Sequence, residues 1–203
     1  MNHSLYLASK SPSRKKLLER AGITFEILEQ EADESQCDWG MPLRQVVESI
    51  AAHKMKHVIM PQATEGQVIF VLTADTLSID TTGAISGKPT NMEDAIAKIK
   101  AARGGTNRCG TAFNIQKKVF KNGTWNLLQG HMGYAEATYE FEVPDECIEE
   151  YIQSSGALEA AGAIKIEDGP QFLKFVNGSY TAIIGLPMYE LFTSLKRMDF
   201  FAE

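Results

Sequence analysis

The sequence contains no long hydrophobic run and only three cysteines. Its longest apolar stretch, VIFVLTA at 68–74, is far shorter than the roughly 20 residues that a membrane-spanning helix needs. Because the N-terminus also lacks a signal-peptide pattern, we expect a cytoplasmic protein that does not bind a membrane. Cys37, Cys109 and Cys147 form no C-x-x-C pair, which argues against a disulfide framework or a zinc site.

Positive charge is also in short supply. The net charge is −6 and the pI is near 5.3, which opposes a broad nucleic-acid-binding surface. No repeat, low-complexity tract or polar linker divides the 203 residues, of which 44% are hydrophobic. We therefore expect one domain, residues 1–203.

Several common functional motifs are missing. The chain has no G-x-x-x-x-G-K-[ST], no G-x-G-x-x-G and no G-x-S-x-G, so P-loop, dinucleotide-binding and serine-hydrolase functions lack their required residues. His53 and His57 are four residues apart on a predicted helix, but no third ligand accompanies them.

Periodicity and turn residues predict a mixed α/β fold. The predicted strands cover 4–8, 25–28, 68–75, 108–120, 125–143, 171–176 and 179–185, and residues 77–86 are expected to form a hairpin. The predicted helices cover 13–21, 43–58, 92–103, 145–155 and 188–198. Asn122-Gly123 is a strong hairpin signal between the two longest strands.

The first predicted helix begins with an unusual number of cations. Ser9 and Ser11 precede it, with Ser11 as a cap, and Arg14 and Lys15 fall in its first turn. The helix dipole disfavours cations there by about 0.3 to 1 kcal/mol each. A bound triphosphate would resolve this conflict, although surface lysines at a helix start are also common.

Acidic and basic residues follow at the ends of later elements. Asp75 is predicted to end an apolar strand, where it could hold a metal or simply cap a turn with Thr76. Glu34, in an acidic loop, could supply a second carboxylate or be merely solvated. Lys54 and Lys88 add positive charge. Together these residue types suit metal-assisted phosphoryl chemistry.

Three ordered segments carry a resemblance to a known family. LASKSPSRKKLLERAGITFEI opens the chain, Ala74-Asp75-Thr76 is followed by Gly87-Lys88-Pro89, and GSYTAIIGLPMYE lies near the end. These segments resemble the A-S-x-S-P-R-R, A-D-T…G-K-P and G-S-Y…V-G-L-P motifs of the Maf nucleotide pyrophosphatases, over nearly the whole chain.

The resemblance implies an enzyme that splits a nucleoside triphosphate into monophosphate and pyrophosphate in a house-cleaning role. It implies an elongated two-lobed α/β fold with a central cleft around a strongly curved mixed sheet, similar to the inosine triphosphatase-like proteins, and a possible homodimer. Mg²⁺ or Mn²⁺ would be the cofactor, and water would attack the α-phosphorus.

Residue roles follow from the same resemblance. The expected catalytic residues are Asp75, Glu34, Lys54 and Lys88, and the expected metal ligands are Asp75 and Glu34. The expected substrate-binding residues are Ser9, Ser11, Arg14, Lys15, Thr76, Lys165 and Glu167.

Departures from the family motifs leave the substrate open. Ser13, Asn107 and Ala160 replace a family arginine, histidine and lysine. Lys165 and Glu167 resemble the branch that acts on 7-methyl-GTP, whereas Asp75-Thr76 and Gly178-Ser179-Tyr180 resemble the dTTP and UTP branch. The alternative functions are a non-catalytic nucleotide-binding regulator and, less compatible with the acidic charge, a basic N-terminal hook for RNA.

Overall fold

The computed structural model describes residues 4–202 of the chain. Seven strands lie at β1 Ser4–Leu7, β2 Phe25–Ile27, β3 Val68–Ile79, β4 Ile85–Ser86, β5 Asn107–Lys121, β6 Thr124–Phe141 and β7 Leu173–Gly178. The described helices are α1 Pro12–Arg20, α2 Leu43–Lys56, α3 Met92–Ala101, α4 Ile148–Ser155, α5 Tyr180–Ile184 and α6 Met188–Arg197. Within this part of the chain, no helix is long and apolar enough to cross a membrane.

The strands form one seven-stranded mixed sheet in the order β2-β1-β3-β5-β6-β7, with β4 paired to β3. The expected mixed α/β class is confirmed. Strand β1 pairs parallel with both β2 and β3, whereas β7 pairs antiparallel with β6. Asn122 and Gly123 both have positive φ, as a two-residue turn between β5 and β6 requires.

The chain divides into two compact units. Within the described residues, the first comprises 4–75, 112–134 and 186–202, and the second comprises 76–111 and 135–185. Buried Ile69 and Val71 of β3 pack with Tyr6 of β1 and Met55 of α2 in the first unit. This packing fixes α2 on the sheet, because the apolar face of the helix must be buried.

The second unit has its own apolar core. Ala95 and Ile99 of α3 share one cluster with Tyr139 and Phe141 of β6 and with Ile152 of α4. The one-turn spacing of the α3 residues places both on one face of the helix.

Two sequence predictions are wrong. Strand β3 does not end at Asp75 but continues to Ile79, because Ser78 and Ile79 pair with β4. The segment 179–185 is not a strand. Ser179 caps it by accepting a hydrogen bond from the Ala182 amide, and α5 forms instead. The β-rich composition of this segment is overridden by its cap and by burial of Ala182 and Ile183.

Candidate active site

The loop between β1 and α1 is organised by two serines. The Ser9 hydroxyl accepts hydrogen bonds from the Ser11 amide at 3.3 Å and from Nη1 of Arg14 at 3.1 Å. Ser11 caps α1 by accepting from the Arg14 amide, and Pro12 occupies the first turn, where its missing N–H has no helical partner to lose. The loop therefore fixes the position of the Arg14 guanidinium.

Arg14 is buried although it lies in the first turn of a helix. Leu17 and Leu18 follow Arg14 by three and four residues, so the three side chains lie on one face of α1. This is the buried face of the helix. Burial lowers the pKa of Arg14, and the negative charges of Asp75 and Glu34 act in the opposite direction. For Arg14, the negative charge expected near this helix start therefore comes from carboxylates of the protein itself.

Lys54 joins two carboxylates. Its Nζ lies 2.6 Å from Oδ1 of Asp75 and 2.7 Å from Oε1 of Glu34. The lysine is buried because it continues the apolar stripe of α2, after Val47, Ile50 and Ala51. An ammonium placed there needs counter-charges, since an unpaired buried cation is strongly disfavoured.

Asp75 is the buried carboxylate of this group. Burial raises its pKa above the ordinary value of 3.8, while Lys54 and Arg14 act to lower it. Lys54 occupies Oδ1, and Oδ2 is buried without a hydrogen-bond partner within residues 4–202. A buried carboxylate oxygen with no partner is uncommon in folded proteins and points to a ligand or a catalytic role.

Glu34 reaches Lys54 from the acidic loop. Its backbone lies in a short 3₁₀ turn, Glu34–Gln36, which Asp33 caps by accepting from the Ser35 amide. The indole Nε1 of Trp39 donates to the Glu34 carbonyl at 3.2 Å. The loop is therefore ordered by its own hydrogen bonds, and Glu34 remains partly exposed.

We call Arg14, Glu34, Lys54 and Asp75 the charged cluster.

The family model described as Maf-like protein matches residues 4–198. The chain belongs to this family. The relatives include proteins named dTTP/UTP pyrophosphatase from Dechloromonas aromatica (strain RCB), 32% identical over 97% of this chain and 98% of the relative, and from Fusobacterium nucleatum subsp. nucleatum, 29% identical over 97% and 96%. A third, from Bacillus thuringiensis subsp. konkukian, is 32% identical over 96% of this chain and 95% of the relative.

Family membership confirms the resemblance read from the motifs, and the charged cluster contains four of the residues that it singled out. Lys15, by contrast, is a half-buried residue of α1. Its predicted role in substrate binding stays a prediction, as do the roles of Ser9 and Ser11.

Four other predicted site residues belong to the second unit of the Maf-like chain. Lys88 is exposed and pairs with Glu159 at 2.9 Å. The Thr76 hydroxyl contacts that of Thr111 at 2.8 Å. Lys165 donates from Nζ to the Ser155 carbonyl at 2.6 Å and also pairs with Asp168. Glu167 is half-buried. Their predicted roles remain predictions.

The three departures from the Maf motifs have different surroundings. Asn107 is buried, and its Nδ2 donates to the Ala102 carbonyl at 2.7 Å, closing the turn after α3. Ser13 and Ala160 are partly buried. Asn107 therefore stabilises a turn inside the second unit.

Two residues close to the charged cluster were not predicted from the sequence. Thr73 is fully buried on β3 and donates to the Ala51 carbonyl at 2.8 Å, and Trp39 holds the Glu34 loop. The sequence does mark Thr73, because it is a polar residue in an apolar strand, two positions before Asp75. Nothing in the sequence marks Trp39, because its bond depends on the fold of an irregular loop.

Proposed function

We propose that this Maf-like chain hydrolyses pyrimidine nucleoside triphosphates, dTTP and UTP, to the monophosphate and pyrophosphate. The names of its relatives favour this substrate class. The observation that carries the proposal is the charged cluster itself. It combines a buried carboxylate oxygen that has no hydrogen-bond partner among the described residues with two buried cations, and these are the groups that phosphoryl transfer requires.

Asp75 is the proposed base. Lys54 holds Oδ1, so Oδ2 is the oxygen that can accept a proton from the attacking water. Burial raises the pKa of Asp75, which makes its carboxylate a stronger base than a free aspartate. The water oxygen bonds to the α-phosphorus, the bond from that phosphorus to the bridging oxygen breaks, and its electron pair leaves with pyrophosphate.

The cations balance the charge of the phosphates. Arg14 presents a planar guanidinium that suits two phosphate oxygens at once, and Ser9 fixes its orientation. Lys54 offsets the negative charge that develops as pyrophosphate leaves, and Lys15 is proposed to contact the polyphosphate. Lys88 keeps its predicted role as a phosphate contact. The start of α1, beside Ser11, adds the positive end of a helix dipole, which favours a bound phosphate.

Mg²⁺ or Mn²⁺ is the proposed cofactor, held by Asp75 and Glu34. The partly exposed carboxylate of Glu34 and the Oδ1 atom of Asp75, which keeps a second lone pair beside its bond to Lys54, are hard oxygen ligands that suit such ions. Within residues 4–202 no group of three or more acidic, histidine or cysteine side chains is placed to hold a metal, so Asp75 and Glu34 are the two residues proposed to hold the ion. When bound, the ion would neutralise phosphate charge as a Lewis acid.

A panel of nucleotides tests the proposal. Pyrophosphate release is measured with Mg²⁺ or Mn²⁺ from dTTP, UTP, CTP, the purine triphosphates and 7-methyl-GTP. We expect dTTP and UTP to be the best substrates. Preference for 7-methyl-GTP would move the assignment to that branch, in keeping with Lys165 and Glu167. Nucleotide binding without pyrophosphate release would favour the non-catalytic regulator and overturn the proposal.

A further inference from the structure

We infer that Thr73 is a positioning residue for the reaction, an inference that rests on the proposed function. Its hydroxyl hydrogen bonds to the Ala51 carbonyl at 2.8 Å, and both the threonine and Ala51 are fully buried. The bond joins β3 to α2 beside the charged cluster. It thereby fixes where α2 presents Lys54 to Asp75.

The position of Thr73 on its strand supports this role. Successive side chains on a strand point to opposite faces, so Thr73 and Asp75 share one face of β3. On α2, position 51 lies one turn before Lys54. The Thr73–Ala51 and Lys54–Asp75 bonds are thus two neighbouring links between the same strand and the same helix.

The bond should contribute little to overall stability. The Ala51 carbonyl lies inside α2, where the regular helical bond to the residue four positions on already satisfies it. Replacing Thr73 by valine removes the hydroxyl, keeps the shape and leaves no buried acceptor unpaired. Such a change should cost only the small net contribution of one hydrogen bond to folding. A loss of turnover would then reflect a change in the placement of Lys54.

The experiment compares three variants in the full chain with dTTP and Mg²⁺. Thr73→Val is expected to lower kcat on the order of 10- to 100-fold with little change in KM, because small displacements of catalytic groups are costly. Thr73→Ser keeps the hydroxyl and should restore most of the rate. Ser194→Ala is the matched control, since it removes another buried hydroxyl of the first unit that bonds to a backbone carbonyl at 2.7 Å.

A second readout does not depend on activity. The ¹⁵N signal of the Lys54 ammonium, assigned by its loss in Lys54→Met, should be sharp in the nucleotide-free wild type and in Thr73→Ser. It should be broadened or shifted in Thr73→Val. A wild-type rate and an unchanged Lys54 signal in Thr73→Val would overturn the inference, as would an equal loss of rate in Ser194→Ala. If the wild type releases no pyrophosphate, the proposed function fails, and the NMR signal alone decides the positioning role.

Discussion

Lys54 and Lys88 each pair with a carboxylate, but their surroundings differ. The Lys54–Asp75 distance is 2.6 Å, and the two side chains are 9% and 8% exposed. The Lys88–Glu159 distance is 2.9 Å, and those side chains are 59% and 67% exposed. The two ion pairs therefore have similar distances, but the first is buried away from water and the second is exposed to it.

The difference in hydration decides what each lysine can do. Breaking a buried pair leaves a charge without water or partner, which costs about 3 to 5 kcal/mol, whereas an exposed pair contributes about 0 to 1 kcal/mol. Lys54 therefore contributes to the stability of the fold as well as to the proposed chemistry. Lys88 can exchange Glu159 for a phosphate at little cost, which suits its predicted role as a substrate contact.

The largest expected effect separates these two lysines. Lys54→Met should lower the free energy of unfolding by about 3 to 5 kcal/mol and lower turnover of dTTP, because Asp75 loses its buried partner. Lys88→Met should lower turnover with a stability change of about 1 kcal/mol or less. Urea unfolding gives the stabilities, and pyrophosphate release gives the rates. Equal stability losses in the two variants would contradict the contrast.

The buried pair should make the stability of the protein depend on pH through Asp75. Burial raises the pKa of Asp75 above 3.8, so the folded protein holds this proton more tightly than the unfolded chain does. The stability that Asp75 contributes is complete below its unfolded pKa and is lost as pH rises through the folded pKa. Relative to Asp75→Asn, the wild type should lose stability as pH increases. Urea unfolding in EDTA from acidic to neutral pH measures this, and an opposite trend would refute it.

The smallest effect is expected at Glu34, the exposed partner of Lys54. Its side chain is 43% exposed, so its pair with Lys54 is screened by water and salt. Glu34→Gln should change the free energy of unfolding by about 1 kcal/mol or less, while lowering the affinity for Mg²⁺. Thermal unfolding and Mg²⁺ titration of the dTTP reaction would show both effects. A stability loss as large as that of Lys54→Met would show that Glu34 is the main partner.

Much of the fold was predictable because local signals agree with it. The Asn122-Gly123 turn, the Asn91 cap of α3 and the apolar run of β3 each indicate the element that forms. Helix α5 was not predictable from its β-rich composition, since the Ser179 cap and burial of one face decide its conformation. The end of β3 also depends on pairing with β4, which is a tertiary contact.

The charged cluster was predictable in part. Arg14 and Lys54 are charged residues at apolar-face positions of their helices, a pattern that marks both from the sequence. The predicted strand-end position of Asp75 is wrong, because this residue lies inside β3, although it does join the cluster. The Glu34 contact could not be derived, because it depends on an irregular loop and on the Trp39 bond.

Asp75, inside the charged cluster, is the residue proposed to perform the proton transfer of nucleotide hydrolysis. The most direct test is the rate of pyrophosphate release from dTTP by Asp75→Asn, with dTTP binding measured on the same folded protein. We expect a rate that is lower on the order of 10³-fold, the range of a lost general base, with binding retained. Near wild-type turnover in this variant would contradict it.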